Sequence, residues 1–499
     1  MGRGRLAGVR WQGYHTQGDG QVAATERGVD PVRAQAGEQR TCAVCAAGSP
    51  VAWAMAAAAV GALAGGAVAA EGVALVTGAL VAMLALAAVV RWPHLGVYLV
   101  LLLVPLDIYG RVISEPIPLT LYQLALVLTL AAWWFRVVIE PGRWLRFAPI
   151  DVGCALLVGA AFLSSLWSVD PSATVRAGVR VLFAWLLALA AANVLRDRER
   201  LHAAYVLLLA TAVVHGAIGF AQQYVPGFDL GRVKAYMAAG GRVNFVRASG
   251  FFEDPNMFAG FLAAAFVAGL ALVVHSRSSK AFLATAGATA VIGAGLVATL
   301  SRTGWVTAAL GAVVVALTAP PRRRRWLVGV GLAAVVGLSA VAPGTVASRA
   351  ASIFDTERDE SNRTRFGMYL STVEMIRDDW VFGVGLAAYE KVYPAYRKPG
   401  TSQVVVKPHQ LPLSFVAEMG VFGLAAEIVL AVGTWLLFWP RRGRPWTQYE
   451  AAAAAGIASL LAGSLFQYYL YFEYLWLFVA FAVAARRVAA GVDSMDERG

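Results

Sequence analysis

The sequence predicts an all-α protein: a polytopic bundle of about twelve to fourteen transmembrane helices with a large extracytoplasmic loop that itself contains helices. Of its 499 residues, 59% are hydrophobic and only 14% are charged, a balance that water cannot solvate as a surface. Apolar stretches long enough to cross about 30 Å of hydrocarbon recur from residue 51 to residue 485. The arginines stand between these stretches rather than along one soluble face.

The apolar runs place fourteen spans, at 51–69, 73–90, 95–109, 119–138, 151–168, 177–195, 203–224, 256–275, 281–300, 302–319, 326–342, 411–438, 448–466 and 468–485. The third is short and carries Pro105. With the N-terminus in the cytoplasm, the inner connections are Arg91, Arg136 with Arg143 and Arg146, "RDRER" at 196–200, "HSRSSK" at 275–280, "PPRRRR" at 320–325 and "RRGR" at 441–444. Arg486 and Arg487 fall on the same side, as lysine and arginine prefer. Both termini are expected in the cytoplasm. The net charge of +12 is therefore a topology signal, and no nucleic-acid partner is expected.

This organisation divides the chain into a cytoplasmic tail (1–50), an N-terminal transmembrane bundle (51–342), a large extracytoplasmic loop (343–410), C-terminal transmembrane helices (411–485) and a cytoplasmic tail (486–499). Residues 1–50 lack periodicity and read as a disordered tail, or as sequence upstream of a start near Met55. Cys42 and Cys45 form a single CxxC with no second pair, which reads as two incidental thiols.

Two outer segments are long, about 225–255 and 343–410, and such segments are where a site is built. In the second, Phe366, Tyr369, Val373, Ile376 and Trp380 follow helical spacing, with Ser361 or Asn362 as cap and Gly383 and Gly385 ending the helix. Its apolar stripe is expected to pack on the bundle as a lid or to lie on the membrane surface. Of six histidines, the topology leaves only His409 on the outer side. Arginine is scarce outside by the same rule, so outer arginines such as Arg247, Arg302, Arg363 and Arg365 need a reason. Arg302 lies in "SRTG", a hairpin tight enough to hold it at the membrane edge, where an unpaired charge is costly.

The planar fork of arginine suits a phosphate or diphosphate, although a phospholipid headgroup satisfies it too. A histidine can take a proton from a sugar hydroxyl while arginines neutralise a departing diphosphate, which amounts to glycosyl transfer without a metal. The acidic "ERDE" at 357–360 and "DDW" at 378–380 read as solvated helix ends, and no Walker-type loop is present, so no metal and no cofactor are expected. Glu418 falls about two and a half turns beyond His409, on the far side of an ideal helix. Direct pairing is not expected. Its carboxylate is open to an arginine of another span, to backbone, or to an acid role.

Four stretches, "GFFEDPNMFAGFLA" at 250–263, "SRTGWV" at 301–306, "RFGMYLSTVEMIRDDWVFGVG" at 365–385 and "HQLPLSFVAEMGVFG" at 409–423, resemble the O-antigen ligase and polymerase superfamily in order and setting. The resemblance covers roughly residues 95–485. It implies an enzyme of the cytoplasmic (inner) membrane, with its site on the extracytoplasmic side, that transfers a glycan from undecaprenyl diphosphate to a glycan, lipid or protein acceptor. It implies that Arg302 and Arg365 bind the donor diphosphate and that His409 activates the acceptor hydroxyl, with inversion at the sugar carbon. Arg247, Arg363, Asn256, Gln410 and Glu418 are candidates for supporting roles. Gln410 stands where the family usually has asparagine, and Tyr369 where it often has tryptophan; its ligases usually have nearer twelve spans. A ligase acting on a lipid-linked polysaccharide is the leading reading and a polymerase the nearest alternative. A transporter, the rival from another class, calls for charges near the midplane and repeated halves. A reporter fused after residue 380 is expected to be active only outside the cytoplasm; cytoplasmic activity there would overturn the topology.

Overall fold

In a computed structural model the described residues are 86–106, 111–113, 119–140, 144–237, 243–327, 360–399, 407–439 and 444–496, with isolated positions near 80 and between 329 and 351. Nearly all belong to one compact unit, Leu84–Gly499. The tail 1–50 with its CxxC, the span predicted at 51–69 and most of those at 73–90 and 326–342 lie outside the described residues.

Each remaining predicted span coincides with a helix. These are α1 (Pro93–Leu103), α2 (Leu121–Ile139), α3 (Ile150–Leu163), α4 (Pro171–Val194), α5 (Arg198–Tyr224), α6 (Pro255–His275), α7 (Ser279–Ala298) and α8 (Arg302–Thr318). After the loop helices α9 (Glu360–Asp378) and α10 (Tyr389–Tyr396) follow α11 (Leu411–Phe438), α12 (Gln448–Ser464) and α13 (Glu473–Asp496). Among the described residues, 7 helices are long and apolar enough to cross a membrane, and α1, α3 and α8 are shorter apolar helices. The chain is a multi-pass membrane protein. Helix starts are written locally: Asp170, Asp197 and Asp254 accept backbone N–H bonds as caps, and Thr120–Gln123 and Thr447–Glu450 form capping boxes. The short third span ends as a 3-10 turn, Val104–Leu106, where Pro105 cannot continue the helix.

The central post is α6, whose apolar window is 78% buried, more than that of the other candidate spans. It packs on α7, α8 and α12. Small residues allow the approach: a Cβ at Gly304 of α8 would meet Ala259, and one at Gly311 would meet Val267 and the Ala455 carbonyl. Because these contacts advance together along both helices, α6 and α8 run parallel and start at the same end.

The predicted inner connections also meet one another. Arg136 donates to the Arg91 carbonyl (3.1 Å), Arg487 donates to the carbonyls of Ala192 (3.0 Å) and Arg146 (2.8 Å), and the Arg196 guanidinium lies 3.6 Å over the Trp144 ring. One end of the bundle is thus basic, and the cations answer carbonyls left open at helix ends. Departures from an all-α chain are small among the described residues. Antiparallel hairpins pair β1 (Arg111–Ile113) with β2 (Leu119–Thr120), and β3 (Arg232–Met237) with β4 (Val243–Gly250) in the first long outer segment.

The loop helix differs from expectation at its start. It begins at Glu360, so Ser361 and Asn362 lie inside its first turn rather than capping it. Of the apolar stripe expected on the bundle or on the membrane surface, Phe366 and Trp380 are 64% and 59% exposed, and Tyr369, Val373 and Ile376 are half-buried. The packed face carries Met368, Ser371, Thr372 and Met375, and the two methionines form a small separate core with Tyr389 and Tyr393. Thr372 bonds the Met368 carbonyl (2.7 Å) and lies 2.9 Å from the Tyr389 hydroxyl, so hydroxyls and thioethers build this contact while the aromatics face out.

The predicted span 411–438 is broken. At Gly420 the backbone adopts φ 58°, ψ −142°, which ends the hydrogen-bond ladder of α11. The loop after α9 fills the gap: Val384 and Gly385 donate to the carbonyls of Ala417 (3.0 Å) and Glu418 (2.8 Å), and Val421 donates to Val381 (3.1 Å). This satisfies groups that hydrocarbon could not. A Cβ at Gly420 would stand 2.1 Å from the Val381 carbonyl oxygen. Gly420→Ala is therefore expected to destabilise the protein by at least about 2 kcal/mol, through the glycine-only backbone and the clash. Thermal unfolding in detergent checks this, and an unchanged midpoint would contradict it.

Candidate functional site

The site forms at the end opposite the basic connections, where α6 and α8 begin. Asp254 caps α6 by accepting from the Asn256 N–H (2.7 Å), and this sets Asn256 in the first turn. The Asn256 side-chain oxygen accepts from Arg247 Nη2 (2.8 Å) and from the Ser301 hydroxyl (2.9 Å), tying β4 to the "SRTG" turn. Arg247 is only 4% exposed and its Nε also donates to the Thr299 carbonyl (2.9 Å) at the end of α7. Leu300, at φ 50°, makes the turn tight, and Ser301 caps α8, which leaves Arg302 as its first residue.

Arg365 approaches from α9, with Nη1 3.5 Å from the Thr303 hydroxyl. Burial lowers the Arg365 pKa; Tyr369 and Asp254 oppose this, whereas Arg302 and Arg247 add to it. The structure therefore brings Arg247, Arg302 and Arg365 into one neighbourhood with Asp254. The Arg363 side chain lies outside the described residues.

His409 sits just before α11 in a left-handed backbone conformation, φ 52°, which a non-glycine residue adopts only at a cost. Its Nδ1 lies 3.4 Å from Gln467 Oε1. Burial holds the imidazole pKa below its usual value, and the nearby Arg365 charge adds to this, so the ring is neutral at physiological pH. Gln467 and Asp254 act in the opposite sense and Lys407 in the same one. Gln410 is the cap of α11, accepting from the Leu413 N–H (3.0 Å). Glu418, 1% exposed, accepts from the Ala387 N–H (3.0 Å) and the Tyr468 hydroxyl (3.1 Å), so its carboxylate locks the broken helix to the loop.

Two features escaped the sequence reading. Lys407 lies over the rings of Tyr468 (4.7 Å) and Tyr471 (4.8 Å), while Arg180 lies 5.9 Å over Tyr471. Burial depresses the Lys407 pKa, against which Glu418 acts. The second is the turn Leu465–Phe472, which supplies Gln467 to His409, Tyr468 to Glu418 and the Tyr469 hydroxyl to the Asn256 carbonyl (3.3 Å). Its signal was present as a tyrosine run, "FQYYLYF", at the seam between two predicted spans.

Fold and site together define a multi-pass membrane protein whose helices gather arginines and a neutral histidine at one end. The family model described as O-antigen ligase matches residues 287–428, a stretch that contains Arg302, Arg365, His409 and Glu418, and this match supports membership of the O-antigen ligase superfamily. The match supports, in broad terms, a ligase- or polymerase-like membrane enzyme with glycan and lipid substrates at a bilayer. No curated protein matches the chain. Arg247, Asn256 and the turn Leu465–Phe472 lie outside the matched stretch. Asn256→Ala leaves Arg247 and Ser301 without their shared acceptor, and is expected to cost about 2 kcal/mol, measured as a lowered unfolding midpoint.

Proposed function

We propose that the protein is an O-antigen ligase that moves a glycan from undecaprenyl diphosphate to an acceptor hydroxyl at the outer side of the cytoplasmic membrane. The observation that carries this reading is the neutral, half-buried His409 within electrostatic reach of Arg365, which itself shares its surroundings with Arg302 and Arg247. In this reading His409 Nε2 takes the proton of the acceptor hydroxyl as its oxygen attacks the anomeric carbon, opposite the diphosphate. The carbon–oxygen bond to the diphosphate breaks, and its electron pair leaves on the diphosphate oxygen. Configuration at the sugar carbon inverts.

Arg302 and Arg365 receive the leaving charge, and Arg247 stands behind them. The N-termini of α6 and α8 end at the same place and add their positive dipole ends. These groups supply the positive charge that the reaction needs, so the mechanism calls for no metal. The exposed apolar side chains of α9, Phe366 and Leu370, with Trp380 just after the helix, suit rest on the membrane surface, where a lipid-linked donor arrives.

The test is an assay of purified protein with a lipid-linked donor and candidate acceptors. Transfer of one whole chain to the acceptor marks a ligase, whereas a ladder of lengthened products marks a polymerase. His409→Asn tolerates the left-handed backbone and removes the base, so kcat is expected to fall by about 10²–10⁴-fold with the protein still folded. Full activity of this variant overturns the assignment. Because the folded-state pKa of His409 is lowered, activity should hold through pH 6.5 and decline only further into acid. Stability linked to this group is present above the unfolded imidazole value and lost as the pH falls below it.

A further inference from the structure

We propose that Gln467 is a positioning residue for this base. Its side-chain carbonyl holds His409 as the Nδ1–H tautomer, so that Nε2 carries the lone pair, and its amide NH2 is aimed at an oxygen of the bound acceptor. The inference rests on the reading of His409 as general base.

A neutral imidazole has one N–H and one lone pair, and whichever nitrogen finds an acceptor keeps the proton. Gln467 Oε1, 3.4 Å from Nδ1, is an acceptor at that position. The distance is long for a hydrogen bond, as it often is before substrate tightens a site. The glutamine is anchored through its backbone. Its backbone N–H donates to the Gly463 carbonyl (2.9 Å), and the next two residues are pinned by hydroxyl bonds to Glu418 and Asn256.

The other half of the amide makes a second point. Gln467 is 4% exposed, and its Nε2 is buried with no hydrogen-bond partner among the described residues. A buried donor left unmade is costly, and such groups call for an explanation. An oxygen of the acceptor, bound where His409 can reach its hydroxyl, would satisfy this donor. An amide also suits the surroundings better than the carboxylate that often orients a catalytic histidine. The charged groups acting on His409 are Arg365, Lys407 and Asp254, and a carboxylate at Gln467 would add a negative charge and favour the protonated ring. An amide sets the tautomer while leaving the ring neutral. Gln467 neither gains nor loses a proton in the reaction.

The test uses the full chain with a lipid-linked donor. Gln467→Leu keeps the bulk and removes the acceptor, and is expected to lower kcat about 10–100-fold with the donor KM little changed. Gln467→Glu keeps an acceptor oxygen and adds charge, and is expected to retain activity while the acid limb of kcat/KM moves up by about one pH unit. A merely structural glutamine predicts lowered unfolding midpoints with the acid limb unmoved, and that result overturns the proposal, as does wild-type kcat in Gln467→Leu. Independently of any Gln467 variant, 15N-histidine NMR, with the His409 signal identified by its loss in His409→Asn, should report the Nδ1–H tautomer; the Nε2–H tautomer overturns it. An active His409→Asn defeats the base reading itself, whereas an inactive His409→Asn with an unmoved limb in Gln467→Glu defeats only this inference.

Discussion

The turn between α12 and α13 is the constraint on which the site depends. Leu465–Phe472 sits where two hydrophobic helices end, and irregular backbone at that depth survives only when protein satisfies it. Phe466 and Gln467 both return their N–H groups to the Gly463 carbonyl, which folds the turn onto the end of α12. The side chains then reach outward to separate elements. The Tyr369 hydroxyl of α9 donates to the Leu465 carbonyl (3.3 Å), Gln467 meets His409, Tyr468 holds Glu418, and Tyr469 holds the start of α6. Tyrosine suits this task because its ring packs like a hydrophobe while its hydroxyl bridges to a polar partner. Loop helix, base, broken helix and central post are thus referred to one piece of chain.

That frame has to hold like charges close together. Arg247, Arg302, Arg365 and Lys407 crowd the same end, and cations at the edge of hydrocarbon are expensive unless they are answered. Many of the answers are neutral dipoles and rings: the Thr299 carbonyl and Asn256 amide for Arg247, the Thr303 hydroxyl for Arg365, and two tyrosine faces for Lys407. Neutral partners orient a cation without cancelling its field. The fields of Arg365 and Lys407 help keep His409 deprotonated. In the proposed reading, anion binding and base strength are then two consequences of one charge distribution.

The bundle was legible because lipid acts on composition. The span read at 411–438 and α11, Leu411–Phe438, coincide, since the hydrocarbon boundary is written as apolar run length. The same property hid other features. In a membrane protein an apolar stripe can face lipid or protein, so Phe366 and Leu370 marked the exposed side of α9, whereas methionines and hydroxyls marked the packed one. Gly420 could not be read as a break, because glycine in a membrane helix usually marks close packing; only the loop from Val381 to Gly385 distinguishes the two. Arg302, Arg365 and His409, which the sequence singled out, lie in one neighbourhood with Arg247 and Asn256. Gln467 and Lys407 were missed, because hydropathy treats Leu465–Phe472 as a seam and says nothing of a lone lysine beside it.

The break in α11 explains how base and arginine are kept in register although they arrive from different segments. His409 precedes the half-helix Leu411–Met419, and Glu418 and Gly420 end it. Arg365 belongs to α9, whose following loop supplies the N–H groups of Val384 and Gly385 to the carbonyls that the break releases, and that of Ala387 to the Glu418 carboxylate. A continuous helix would have used those carbonyls internally and left the loop nothing to bind. Breaking one helix thus creates the docking points for the next functional element. The result is a closed frame that runs from Arg365 through the loop to the break, back along the half-helix to His409, and through Gln467 to the turn that holds Tyr369 on α9. Movement of α9 therefore bears on both ends of the half-helix, so the position of Arg365 and the pose of His409 are set together.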